Sequence, residues 1–363
     1  MMSVRAVSRF TGFEFWKRSF LDIYQYIKAD KIFYGVMISF SVVVIAILQI
    51  YGYESKGQLT AYLSMLPTML KLSLIIGTLW YFITLVYRRE RRPLYCFWQQ
   101  VVFIYDHRNR IIASFLLFVG ISAFLSYCST FKGMIPLLHP FEFDEAIHNI
   151  DLWLFFGKEP WQLIHGLYDS PWITFGLDLS YNIWFFLVYA ILGVFILTQK
   201  VHRRRQYILT WLLCWIVIGN ILAFAFSSVG PTFVGRLFPI NTDYLPLMTL
   251  LHQQDMWLQQ YNPKILLWSL NTQDYLWTSY TTGKEMLGSG ISAMPSMHVS
   301  MAVLMALGVS SLNRKLGILF WLFALVIYVG SFTLGWHYAV DGLVSGPVTL
   351  IIWRLCGSKY LTK

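Results

Sequence analysis

Apolar residues run along this chain in blocks, separated by short polar and basic stretches. A membrane-spanning helix needs about 20 mostly apolar residues. Eight blocks qualify: 33–53, 68–87, 111–131, 172–198, 207–227, 294–312, 317–335 and 338–355. The pattern predicts an all-α fold, a polytopic membrane helical bundle with about eight transmembrane helices. Residues 10–27, "FTGFEFWKRSFLDIYQYI", mix aromatic and charged side chains and predict a helix lying on the membrane surface. Residues 89–107 are expected to lie flat on the same side. The stretch "HPFEFDEAIHNIDLWLFFGKEPWQLIHGL" (139–167) predicts one or two further surface helices on the opposite side.

The charges orient the spans. "RRERR" (88–92), "DHRNR" (106–110), "KVHRRR" (200–205) and "NRK" (313–315) fall between blocks on one side, and all but seven of the 28 Lys and Arg share it. Basic residues collect on the cytoplasmic side, so both termini are expected there. The other side then carries two long loops, 132–171 and 228–293.

Composition narrows the class. The chain is 57% hydrophobic and only 13% charged, against roughly 25% charged in soluble domains. The net charge of +10 would suggest nucleic acid in a soluble protein; here topology accounts for it, and no nucleic-acid partner is expected. Cys96, Cys128, Cys214 and Cys356 are scattered, with neither metal spacing nor a disulfide pattern. The first twenty residues lack the short apolar core and small-residue cleavage site of a removable signal.

Four short stretches reach the same predicted face: "DLSYN" (178–182), "SSVGPTFVGRLFP" (227–239), "MPSMH" (294–298) and "GWHYAVD" (335–341). His337 and Asp341 are four apart, which on a helix places them on one face. A carboxylate on one imidazole nitrogen fixes the tautomer and leaves the other nitrogen's lone pair free. His298, from another helix, could donate a proton to a leaving alkoxide and later accept one from an attacking hydroxyl. With Pro295 opening the sixth span, the amides of 296–298 could face an anion. Ser296 adds a hydroxyl, and Arg236 a fork for phosphate oxygens. Asp178, expected about 9 Å below the membrane surface, is an intramembrane acid and hence a functional candidate. Plainer readings stand beside these: His298 as a helix-end histidine, Arg236 as an interfacial anchor, Asp178 bonded to Asn182 or Tyr181, and Trp336 and Tyr338 as interface aromatics.

"PSMH" followed by "HYAVD" resembles the second and third signatures of the type 2 phosphatidic acid phosphatase superfamily, Pro-Ser-Gly-His and Ser-Arg-x5-His-x3-Asp. The resemblance covers roughly 111–355. It implies a six-helix catalytic core there, after an N-terminal interfacial segment with two accessory helices (1–110) and before a cytoplasmic tail (356–363). By resemblance, His337 is the nucleophile that forms a phosphohistidine, Asp341 its orienting partner, His298 the general acid and Ser296 a phosphate ligand. The first signature, Lys-x6-Arg-Pro, is reduced to Arg236, with Val229 and Leu237 at its other positions. Gly330 and Ser331 replace Ser-Arg, and Met297 replaces Gly. This thinned set of cations looks like the branch of inositol phosphorylceramide and sphingomyelin synthases, whose phosphodiester donors carry less charge. Lys264 or Lys284 could supply a cation in substrate binding.

The expectation is a lipid phosphotransferase or phosphatase, with headgroup transfer slightly favoured over hydrolysis. Its substrate would be a phospholipid or lipid phosphate, with no metal and no organic cofactor. It would sit in a bacterial inner membrane with the site facing the periplasm or exterior. A lipid transporter or flippase, and a catalytically inactive lipid-binding relative, remain as alternatives.

Overall fold

The computed structural model describes residues 12–53, 61–168, 170–283 and 290–358. Among them there is no strand. Among the described residues seven helices are long and apolar enough to cross a membrane, as in a multi-pass integral membrane protein.

The chain divides into two compact units, Met1–Ile47 with Leu59–Ser126, and Leu48–Gln58 with Tyr127–Lys363. The first contains α1 (Gly12–Ala29), most of α2 (Lys31–Tyr51), α3 (Ala61–Tyr87), α4 (Pro93–Asp106) and the first part of α5 (Arg108–Leu138). Here Phe40 of α2 meets Phe124 of α5 edge-on at 5.5 Å, and Tyr81 of α3 meets Phe97 of α4 at 5.1 Å. Outward faces stay apolar: Leu74, Ile75, Ile76 and Trp80 of α3 are exposed. A surface this apolar suits lipid rather than water. Within the segments 10–27 and 89–107, the described residues form the helices α1 and α4.

The second unit begins in α5 and continues with α6 (Asp144–Leu154), α7 (Pro160–Leu167) and α8 (Pro171–Leu197). Next comes α9 (Val201–Ile216), which runs through a π-helical turn, Val217–Leu222, into the short α10 (Ala223–Ala225). After α11 (Pro231–Leu237), α12 (Leu245–Tyr261) and α13 (Trp268–Thr282), the chain closes with α14 (Met297–Leu312), α15 (Arg314–Thr333) and α16 (Ala339–Cys356). The segment 228–293, expected as a loop, thus holds three helices. Leu247, Leu251, Leu258 and Leu270 of α12 and α13 are buried, while Leu245, Met256, Trp257, Tyr261 and Trp268 are exposed, so one part of the apolar surface of these helices packs on protein.

The core gathers around α14, which packs on α8, α9, α15 and α16. Phe195 of α8 and Tyr207 of α9 stack at 3.9 Å, while Ser300 of α14 bonds to Thr349 of α16 at 2.8 Å. At 16 residues α14 is shorter than a usual span. It can be short because most of its residues touch neighbouring helices. Its start also differs from expectation. The helix opens at Met297 with Ser296 as N-cap, so Pro295 lies before the cap and not at the first helical position.

Candidate active site

The turn between α15 and α16 sets His337. Its backbone N–H donates to Ser331 O at 3.0 Å. Its ring nitrogen Nδ1 lies 2.8 Å from Ala293 O and 3.2 Å from Asp341 Oδ2. Both are acceptors, so Nδ1 carries the proton and Nε2 keeps its lone pair. The pair does not meet as two residues on one helical face, as the spacing suggested. His337 precedes the helix, and Asp341 is its third residue. The Asp341 carboxylate reaches back over the first turn and accepts the Tyr338 N–H at 3.1 Å with the oxygen that serves His337. The His-x3-Asp spacing is therefore that of a helix start: one carboxylate caps α16 and orients the imidazole. Asp341 is fully buried, and its Oδ1 has no partner.

His298 arrives from α14. Its ring lies on Tyr181 at 4.2 Å and 24° and beside Trp184 at 4.3 Å, with Phe185 edge-on at 5.7 Å. Trp184 Nε1 also donates to the His298 carbonyl at 2.9 Å. Three aromatics of α8, spaced i, i+3 and i+4, thus hold the ring. It also meets His337, with centroids 6.1 Å apart. His298 Nε2 is buried with no hydrogen-bond partner. An imidazole nitrogen without a partner beside a second imidazole with a free lone pair can handle a proton while its neighbour handles an electrophile. Trp336 stacks parallel to Tyr181 at 6.3 Å.

The acids of the 139–167 stretch hold this arrangement in place. Asp144 accepts the Val229 and Gly230 N–H groups, each at 2.8 Å, and the Tyr338 hydroxyl at 2.8 Å. Gly230 sits at φ +89°, and a Cβ there would come 2.8 Å from the Ala293 Cβ, so only glycine fits. The neighbouring Ser228 takes the Ala293 N–H on its carbonyl and the Met294 N–H on its hydroxyl, both at 3.0 Å. That places the Ala293 carbonyl against His337. Asp151 accepts the Ala339 and Val340 N–H groups at 2.7 and 2.8 Å, satisfying the first turn of α16. Asp144 and Asp151 are seven apart, two turns of one helix face. Burial raises the Asp144 carboxyl above its ordinary range, opposed by the donors it accepts from. Burial pushes Asp151 up to about 6, opposed by its two amides, with the Asp341 charge adding to the rise. Burial pushes Glu159, at the start of α7, up to about 7, and the charges of Asp151 and Asp243 add to it.

The remaining candidates fall in different places. Ser296 is fully buried; its hydroxyl faces the Val299 N–H at 3.4 Å, and its own N–H faces Asp341 O at 3.4 Å. It therefore joins the two histidine-bearing helix starts. Asp178 is occupied by α13: its oxygens accept the Trp268 and Ser269 N–H groups at 2.8 and 2.9 Å and the Ser269 hydroxyl. It fits a helix cap rather than a substrate ligand. Arg236 pairs with Asp274 at 2.7 Å and lies over Trp277. Lys284 lies outside the described residues. Neither Trp336 nor Tyr338 is a plain interface aromatic: Trp336 Nε1 bonds to Ser269 Oγ at 3.2 Å, and Tyr338 is buried on Asp144.

Sequence reasoning passed over Trp184 and Phe185 and took Tyr181 only as a partner for Asp178, although their spacing after Asp178 marks one helix face. It passed over Asp144 and Asp151 because acids in a surface helix are ordinarily solvated.

No curated protein and no solved structure matches the chain significantly. A family model described as the PAP2 superfamily matches residues 145–355, more than half of the chain. That stretch contains both histidines, Asp341, the aromatic face of α8 and Asp151. The chain belongs to the PAP2 superfamily, which supports a lipid phosphatase or phosphotransferase kind of function.

Proposed function

We propose that the protein transfers a phosphoryl headgroup between lipids through a phosphohistidine on His337, at the extracytoplasmic leaflet of the membrane. The observation that carries the reading is the His337 environment: Nδ1 held by Ala293 O and Asp341, and Nε2 turned free beside His298, 6.1 Å away between ring centroids.

In the first step the Nε2 lone pair forms a bond to phosphorus while the bond from phosphorus to the leaving oxygen breaks. The proton on a cationic His298 goes to that oxygen. Asp341 stabilises the ring of His337 as it becomes positive. In the second step the hydroxyl oxygen of a lipid alcohol bonds to phosphorus, its proton returns to His298, and the nitrogen–phosphorus bond breaks. Arg236 is engaged with Asp274, and the thinned set of cations favours a phosphodiester donor of single charge. The bias of basic residues supports a site on the side away from the cytoplasm.

The test is to mix the purified protein with phospholipid labelled in its phosphate and quench it. Acid-labile, base-stable label on His337 is the expected result, with none on His337→Ala. Adding a lipid alcohol should yield a new headgroup lipid. Free phosphate without such a product would replace transfer by hydrolysis. Normal turnover in a folded His337→Ala protein would reject the mechanism.

A further inference from the structure

We propose that Lys132 of α5 is an oxyanion-binding residue of this site, holding the phosphate oxygens of the substrate beside His298. The inference rests on the phosphoryl-transfer reading for its ligand, and on separate observations for its place.

Lys132 lies six residues before the end of α5, in the same compact unit as both histidines. Gly290, at φ +110°, packs directly on it; a Cβ there would meet the Lys132 carbonyl carbon and Cγ at 3.2 Å and Gly133 N at 3.1 Å. From Gly290 the chain continues through Ala293, whose carbonyl holds His337 Nδ1, to Ser296 and His298. Lys132 therefore stands at the head of the segment that carries two of the site's fixed groups. Its ammonium is near enough to His298 for their charges to act on one another.

Lys132 is half-buried, and among the described residues no carboxylate pairs with its ammonium. An ammonium withdrawn from water without a counter-charge is unfavourable, and a bound anion removes that cost. The acids near the site are spent elsewhere. Asp144 and Asp151 are taken up by backbone amides, and Asp341 by His337 and Tyr338. A phosphate oxygen entering between the two imidazoles would be the missing counter-charge, with lysine acting as a point charge toward it.

The test measures binding apart from turnover. Inorganic phosphate is titrated calorimetrically into the full-length protein in a nonionic detergent. Lys132→Met should weaken phosphate binding roughly 10- to 100-fold, the worth of one charge-assisted contact, while Lys132→Arg stays close to the parent. Ligand-free Lys132→Met should melt at or above the parent temperature, because the unpaired charge is gone. If the Met variant does not fold, Lys132→Gln gives the same readout. Equal affinity in parent and variant, or no phosphate binding by the parent, overturns the inference and identifies Lys132 as a lysine that reaches out to the headgroups. Lys132-dependent phosphate binding in a protein whose His337→Gln variant still transfers headgroups would leave the inference standing and remove the proposed function.

Discussion

One carboxylate oxygen of Asp341 faces both Nδ1 of His337, at 3.2 Å, and the N–H of Tyr338, at 3.1 Å. The residue that orients the imidazole is therefore also the residue that starts α16. Asp341→Asn keeps an acceptor for one of these groups and loses the negative charge. It is expected to lower kcat roughly 10³-fold or more and to cost about 1 kcal/mol of stability from the weakened cap. Turnover assays paired with thermal melts check this; a variant retaining a tenth of parental kcat would contradict it.

Asp178 and Asp341 make opposite predictions. With both oxygens engaged at the start of α13, Asp178→Ala leaves two amides and a hydroxyl without an acceptor. A loss of about 3 kcal/mol in unfolding free energy is expected. Asp178→Asn should be milder and keep kcat/KM within a few-fold once folded. A large drop in kcat/KM at unchanged melting temperature would return Asp178 to substrate binding.

The ring of His298 is set by its neighbours on α8. Trp184→Phe removes the hydrogen bond to the His298 carbonyl and shrinks the surface beside its ring. Small displacements of a proton-transfer group are costly, so kcat should fall roughly 10- to 100-fold with KM little changed. Steady-state kinetics that move KM instead of kcat would show that Trp184 touches substrate.

Asp151 and Glu159 give the fold a pH dependence. Both hold their protons more tightly folded than unfolded, rising from 3.8 to about 6 and from 4.5 to about 7. Between about pH 4 and 7 the folded state binds more protons, so stability falls as pH rises across that window and levels off above it. Glu159 lies 3.6 Å from His148 Nε2, and Asp243 lies 3.8 Å from the same nitrogen. Glu159→Gln should flatten the decline between pH 4.5 and 7, read as melting temperature against pH. An unchanged slope would show that Glu159 is not its source.

The amino-acid sequence by itself determined the membrane-spanning blocks and the residues that meet at the centre. Lipid imposes a length and an apolarity on every span whatever its neighbours, so the eight blocks are visible without any knowledge of packing; α2, α8 and α15 appear close to where the pattern places them. His298 and Asp341 stand out because titratable groups are rare inside such blocks, and His337 because it stands four residues before Asp341. Only the tertiary structure decided what each polar group is spent on. The partners of Asp144, Asp151 and Asp178 lie 85 to 194 residues away along the chain, and no local periodicity records such distances. The three helices of 228–293 are equally hidden, since their apolar residues are too few for a span and the buried ones, such as Leu247, Leu251 and Leu258, are chosen by tertiary packing. A carboxylate reads the same in sequence whether it meets a substrate, an imidazole or two backbone amides, and the choice is made by which helix end folding brings within 3 Å of it.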